Sequence, residues 1–140
     1  MTHKVTTVWK EKMIFESDNP GGYSFNLGQT EENNDPYKPL RPKAVMLSSL
    51  AACSGLDIVS LAEKMRITFN DLKIKVEGEL TEEHPKTYHT VSVDYHFYGK
   101  DLDESKINKA IALSVDKYCG VMEMFRQFAQ VKTKTHFHNH

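Results

Sequence analysis

The chain opens on a two-residue alternation, with Val5, Thr7 and Trp9 set against Thr6, Val8 and Lys10, which is the period of a strand. Met13-Ile-Phe15 continues it. Ser17-Asp-Asn-Pro-Gly-Gly22 then supplies turn chemistry, and Tyr23, Phe25 and Leu27 alternate with Ser24 and Asn26. The pattern predicts an antiparallel hairpin or meander. Residues 28–42 are polar and carry Pro36, Pro39 and Pro42, which exclude a helix interior or a central strand there. Pro42 is well placed as the first residue of a following helix.

From Ala44 to Met65 the pattern is nearly all apolar and predicts a long helix. Leu47, Ala51, Ile58, Ala62 and Met65 mark one face; Met46, Leu50, Cys53 and Asp57 mark another. Both faces are mostly apolar, so the helix is expected to be buried on most sides. That needs more cover than one small sheet provides and points to a second subunit.

Alternation returns at Leu72, Ile74 and Val76, and again at Val91, Val93, Tyr95 and Phe97 beyond a turn near Glu82–Pro85. These read as half-buried antiparallel strands. Asp101 and Glu104 have capping-box spacing. Helical spacing follows through Ile107, Ile111, Val115 and Tyr118, and Gly120 breaks it just after Cys119. Val121, Met124, Phe125 and Phe128 define a short helix, and Val131 to Phe137 a last strand. The order of strands, helix, strands, helices and strand is that of an α+β domain. One domain, residues 1–140, is expected from the length.

Composition narrows the classes of function. A net charge of −1 with no basic run gives no electrostatic case for nucleic acid or an anionic membrane. The first residues lack the apolar core of a signal peptide. Ser48, Ser49, Ser54, Asp57 and Ser60 interrupt the apolar segment, so no membrane span is expected. A cytoplasmic setting follows as the expectation. In a reducing compartment two cysteines are free, catalytic or redox-cycling rather than a permanent staple.

Those two cysteines are the candidate chemistry. Position alone makes Cys53 a small core hydrophobe, inert if fully buried. Cys119 sits at a helix junction, where free N–H groups would favour a thiolate. Asp57, one turn after Cys53, needs a cationic or hydrogen-bonding partner, or else lines a pocket. Arg41 and Lys43 stand at a helix start, where cations oppose the dipole. His136, His138 and His140 share a strand face, but a frayed terminus is the plainer reading. No metal or cofactor motif is present.

Arg41-Pro-Lys-Ala-Val-Met-Leu-Ser-Ser-Leu-Ala-Ala-Cys53-Ser-Gly-Leu-Asp57, Tyr98-Gly-Lys-Asp-Leu102 and Leu113-Ser-Val-Asp-Lys-Tyr-Cys119-Gly-Val together resemble the OsmC/Ohr superfamily, most of all its YhfA-like branch. The resemblance implies an intertwined homodimer, with the long central helix packed between antiparallel sheets. It implies Cys53 as the peroxidatic cysteine, Cys119 as the resolving one, a small organic hydroperoxide as substrate and an external dithiol as reductant. Cys53 and Cys119 form the implied catalytic pair; Arg41, or Lys43, is the candidate activating cation from the helix start, and Lys43, Met46, Leu50 and Asp57 are the candidate substrate contacts. The chain departs from the family's well-studied peroxidases at Lys43, where those carry a glutamate ten residues before the cysteine that orients an activating arginine. A second reading on the same scaffold is a non-catalytic binding or redox-sensing protein.

Overall fold

Short antiparallel strands form where the alternation begins. The computed structural model describes all residues, 1–140. Strands β1 (Thr7–Glu11), β2 (Ile14–Asp18) and β3 (Ser24–Gly28) make a meander in that order. Phe15 lies opposite Trp9 on one side and Leu27 on the other. Gly28 has φ of +148°, and a Cβ there would stand 1.9 Å from the Met13 carbonyl oxygen, so the crossing requires glycine. These strands belong to a compact unit, Met1–Met46; a second comprises Leu47–His140.

Helix α1 (Pro42–Met65) begins at the proline and runs for 24 residues. Its buried positions are Leu50, Ser54, Ile58 and Ala62. The spacing of four makes one inward stripe rather than the two faces the sequence predicts, and a serine sits within it. Leu56 and Val59 are 73% and 55% exposed. The helix is long and apolar enough to cross a membrane by length and composition, with a mean hydropathy of 1.7. The core helix of a soluble protein has the same length and composition, so the expectation of no membrane span is not overturned.

The second unit is built on β4 (Asp71–Leu80), β5 (Tyr88–Gly99) and β6 (Gln130–Asn139), in the order β4-β5-β6. β4 and β5 are antiparallel, with Ile74 opposite Tyr95. β6 runs parallel to β5, from Thr90 opposite Gln130 to Gly99 opposite Asn139, so this sheet is mixed rather than purely antiparallel. The cause is the connection: α2 (Glu104–Leu113), a π-helical turn at Ser114–Tyr118 and α3 (Gly120–Arg126) intervene, and a crossover of that length returns the chain in the same direction. α2 is capped by Asp103, whose carboxylate accepts from the Lys106 N–H at 3.1 Å. Asp101, the expected cap, instead takes φ of +54° in the preceding turn.

Val91, Val93, Tyr95 and Phe97 point inward and are at most 1% exposed. They pack with Leu50, Ile58, Ile107, Met122 and Phe125 in one core. α1 lies close to β4 because residue 55 is glycine: a Cβ there would meet Ile74 Cδ1 at 3.1 Å.

The outer side of this sheet carries a chain of imidazoles. His96 Nδ1 and His138 Nε2 are 3.0 Å apart, within hydrogen-bond distance, while His136 Nε2 lies 2.8 Å from Asp94 Oδ1. The His96 and His136 rings stack at 4.3 Å, and Tyr98 stacks on His138 at 4.5 Å. The end of the chain is therefore not frayed at these residues: β6 holds through Asn139, and the His140 N–H donates to the Gly99 carbonyl at 3.0 Å. Partial burial, then the neighbouring His136 and His138, hold the His96 imidazole below its ordinary 6.5, with Lys75 adding to the effect and Asp94 opposing it. The folded chain thus resists protonation that the unfolded chain accepts. Stability present above pH 6.5 is lost as pH falls below it toward the lowered value. Thermal unfolding between pH 8 and 5 should show this acid-side loss, and His96→Gln should flatten it; an identical pH dependence in the variant would refute the assignment.

Candidate functional site

Cys53 lies on α1, half-buried, and Cys119 is 3% exposed at the junction between the π-helical turn and α3. Both are free thiols. Although 66 positions separate them in sequence, the Cys53 thiol stands near enough to Cys119 to raise its pKa. The wide turn brings this about: the Cys119 N–H reaches back five residues to the Ser114 carbonyl at 2.8 Å. Cys119 then turns extended, with φ −78° and ψ 101°, and caps α3, its sulfur accepting from the Met122 N–H at 3.3 Å. Arg126 braces the turn, donating to the Val115 carbonyl through Nη2 and to Glu123 Oε2 at 2.9 Å through Nη1.

A line of hydroxyls runs beside the thiol-bearing segments. Tyr95 Oη lies 2.6 Å from Ser54 Oγ, and Ser54 Oγ lies 2.9 Å from Ser114 Oγ. Ser114 Oγ donates to Asp57 Oδ2 at 3.0 Å, with a longer approach to the Ser54 carbonyl at 3.4 Å. Tyr95, Ser54 and Ser114 are each 0% exposed. Ser114 spends its one proton on Asp57, which sets the order: Tyr95 donates to Ser54, Ser54 to Ser114, and Ser114 to the carboxylate.

Burial chiefly pushes the Cys119 thiol up from 9.0 to about 11; the Met122 N–H opposes this, and the Cys53 thiol and the Asp57 charge add to it. The sequence expectation that a helix start would favour a Cys119 thiolate is thus overturned: the N–H is present, but desolvation outweighs it. The Tyr95 phenol is likewise raised by burial, against the lowering effect of its Ser54 hydrogen bond.

The remaining sequence-derived candidates fall in several places. Asp57 is half-buried, and the partner it required is the Ser114 hydroxyl. Leu50 is fully enclosed in the core of the second unit. Arg41, Lys43 and Met46 belong to the first unit; all three are exposed, Met46 by 44%. Three residues of the arrangement were missed in the sequence: Ser54, Ser114 and Tyr95. The available signal was Ser54 itself, a hydroxyl on an apolar helix, which if enclosed must find a polar partner.

An α+β chain with two free thiols drawn together across a helix junction is the class of protein defined here. Residues 36–134, 99 of the 140, match the family model described as OsmC-like protein, and the chain belongs to that family. It is similar to Protein YhfA of Escherichia coli (strain K12), with 26% identity over 123 residues, 88% of this chain and 89% of that one. In three dimensions it resembles a hypothetical protein from Aquifex aeolicus VF5, with a TM-score of 0.81, 25% identity and 98% of each chain covered. It also shares its fold with the organic hydroperoxide resistance protein OhrB of Bacillus subtilis, with a TM-score of 0.66 and 18% identity over 97% of this chain and 98% of that one.

The thiols should differ in reactivity. With its pKa near 11, Cys119 carries about 0.1% thiolate at pH 8. Iodoacetamide at pH 8, followed by peptide mass mapping, should label the half-exposed Cys53 well before Cys119. Labelling of Cys119 should rise about tenfold per pH unit up to its pKa. Equal rates at pH 8 would contradict the buried, raised Cys119.

Proposed function

We propose that this chain is a thiol-dependent peroxidase for small organic hydroperoxides, read as one OsmC-like domain over residues 1–140. The observation that carries the reading is the pairing of two free thiols from distant segments, one half-exposed and one buried. It gains support from fold relatives described as organic hydroperoxide resistance proteins. The Cys53 thiolate attacks the distal peroxide oxygen, the O–O bond breaks, and the alkoxide leaves as the alcohol after taking a proton. Cys53 is now a sulfenic acid. The Cys119 sulfur then attacks the Cys53 sulfur, the S–O bond breaks, and hydroxide leaves as water with the Cys119 proton. An external dithiol reduces the disulfide by exchange. Arg41 is carried over as the candidate activating cation, and Lys43, Met46 and Asp57 as candidate substrate contacts; Leu50, fully enclosed in the core, is withdrawn from that set. No resident cofactor or metal enters these steps, and the reducing cytoplasm supplies the dithiol.

A homodimer belongs to the same reading. The exposed apolar residues of α1, Leu56 at 73% and Val59 at 55%, would be covered by a second copy of the chain rather than by lipid. Leu56→Asp combined with Val59→Asp should convert the dimer to monomer in sedimentation; a variant that sediments as the wild type does would remove the helix from the interface.

A specific observation favours the alternative, a redox-sensing or ligand-binding protein without turnover. Burial, the Cys53 thiol and the Asp57 charge all raise Cys119, which disfavours rapid resolution. Consumption of cumene hydroperoxide with a dithiol reductant separates the two. Peroxidase activity should fall at least about a hundredfold in Cys53→Ser, and in Cys119→Ser a sulfenic acid should accumulate at Cys53 and react with dimedone. Absence of Cys53-dependent turnover in the wild type would eliminate the enzyme reading.

A further inference from the structure

The mechanism above uses two sulfurs but not the three enclosed hydroxyls beside them. Ser54 immediately follows Cys53 on α1. Ser114 opens the π-helical turn, and its carbonyl accepts the Cys119 N–H at 2.8 Å. The 2.9 Å contact between Ser54 Oγ and Ser114 Oγ is therefore a cross-link between the two segments that carry the thiols. Tyr95, at 2.6 Å from Ser54, anchors that link to β5. We propose that the chain Tyr95–Ser54–Ser114, oriented by Asp57, positions the Cys119 segment against the Cys53 helix for disulfide closure.

A hydroxyl alone is ambiguous, since it donates in whichever direction is free. Asp57 removes the ambiguity because an ionised carboxylate only accepts. Ser114 donates to it at 3.0 Å, which leaves the Ser114 oxygen free to accept from Ser54, and the Ser54 oxygen free to accept from Tyr95. One surface-proximal charge thus fixes the orientation of three enclosed groups. The same charge lies near enough to Cys119 to add, after burial and the Cys53 thiol, to what disfavours its thiolate, so removing it should ease closure at lower pH. The inference rests on the paired-thiol reading, though not on any peroxide.

Its test uses diamide on the full-length reduced protein. Diamide takes up two electrons and two protons to become the hydrazine as two thiols become a disulfide. Closure is followed by loss of alkylatable thiols and by a Cys53–Cys119 linked peptide. Ser54→Ala and Ser114→Ala, shown folded by circular dichroism, should each close at least about tenfold more slowly than the wild type. Asp57→Asn keeps an acceptor for Ser114 but removes the charge, and should move the pH profile of closure to lower pH. Wild-type closure rates in both serine variants would overturn the proposal, as would an unshifted profile in Asp57→Asn if the serine variants fail to fold. Failure of the wild type to form the linked peptide would bring down the thiol pairing and this proposal together, whereas failure confined to the variants leaves the pairing intact.

Discussion

Three hydroxyl groups in the core of the second unit have no access to solvent, and each must find its hydrogen bonds among the others. Leaving such a group unpaired costs about 1–3 kcal/mol, a large share of a small domain's net stability. Tyr95 comes from β5, Ser54 from α1 and Ser114 from the start of the π-helical turn. Their mutual satisfaction at 2.6 and 2.9 Å therefore constrains three elements together. Apolar packing through Ile58, Val93 and Phe97 supplies most of the attraction, but it is non-directional and tolerates small slides. The hydroxyl line does not, because hydrogen bonds weaken steeply with distance and angle. Cys53 adjoins one member of this line, and the turn opened by another member ends at Cys119, so the geometry of the thiols depends on it.

Two effects compete at Cys119. Capping α3 gives its sulfur a backbone donor from Met122, which favours the anion. Enclosure, the neighbouring thiol and the Asp57 charge disfavour it, and they prevail. A half-exposed thiol beside a buried one, both reduced, divides naturally into a group that meets a reagent and a group that waits for a partner. In the proposed chemistry the second thiol gives up its proton as it attacks, and that proton leaves with the departing hydroxide as water; its raised pKa therefore slows resolution.

Period-two and helical patterns were enough to read every strand and helix, since Val91, Val93, Tyr95 and Phe97 on β5 and the Pro42 start of α1 obey local rules. Direction was harder. Whether β6 lies parallel or antiparallel to β5 depends on where the helices of the crossover carry the chain, and alternation is the same either way. The site was half legible. Cysteines are rare enough here to be noticed, but Ser54 read as an interruption of an apolar run and Ser114 as an ordinary helical position. Their importance lies in a contact across 60 residues, and no local spacing encodes it. Asp57 pointed the right way by needing a cationic or hydrogen-bonding partner, and the Ser114 hydroxyl is the second of these.

The outward side of α1 raises the remaining physical question. By length and composition this helix could cross a bilayer, and most of its apolar surface is not covered within the chain. A helix inserted in lipid, however, would carry Asp57 into hydrocarbon, where a carboxylate is costly even when paired. Here Asp57 accepts from a serine on a different element of the same folded unit, so the helix is already committed on that side to a core. The stripe that Leu56 and Val59 share carries its next charge one turn on, at Glu63. A matching helix from a second copy would bury that stripe without desolvating the carboxylate. In the proposed dimer the polar line and the apolar face of α1 thus have separate tasks: one sets where the thiols stand, and the other removes the helix from water.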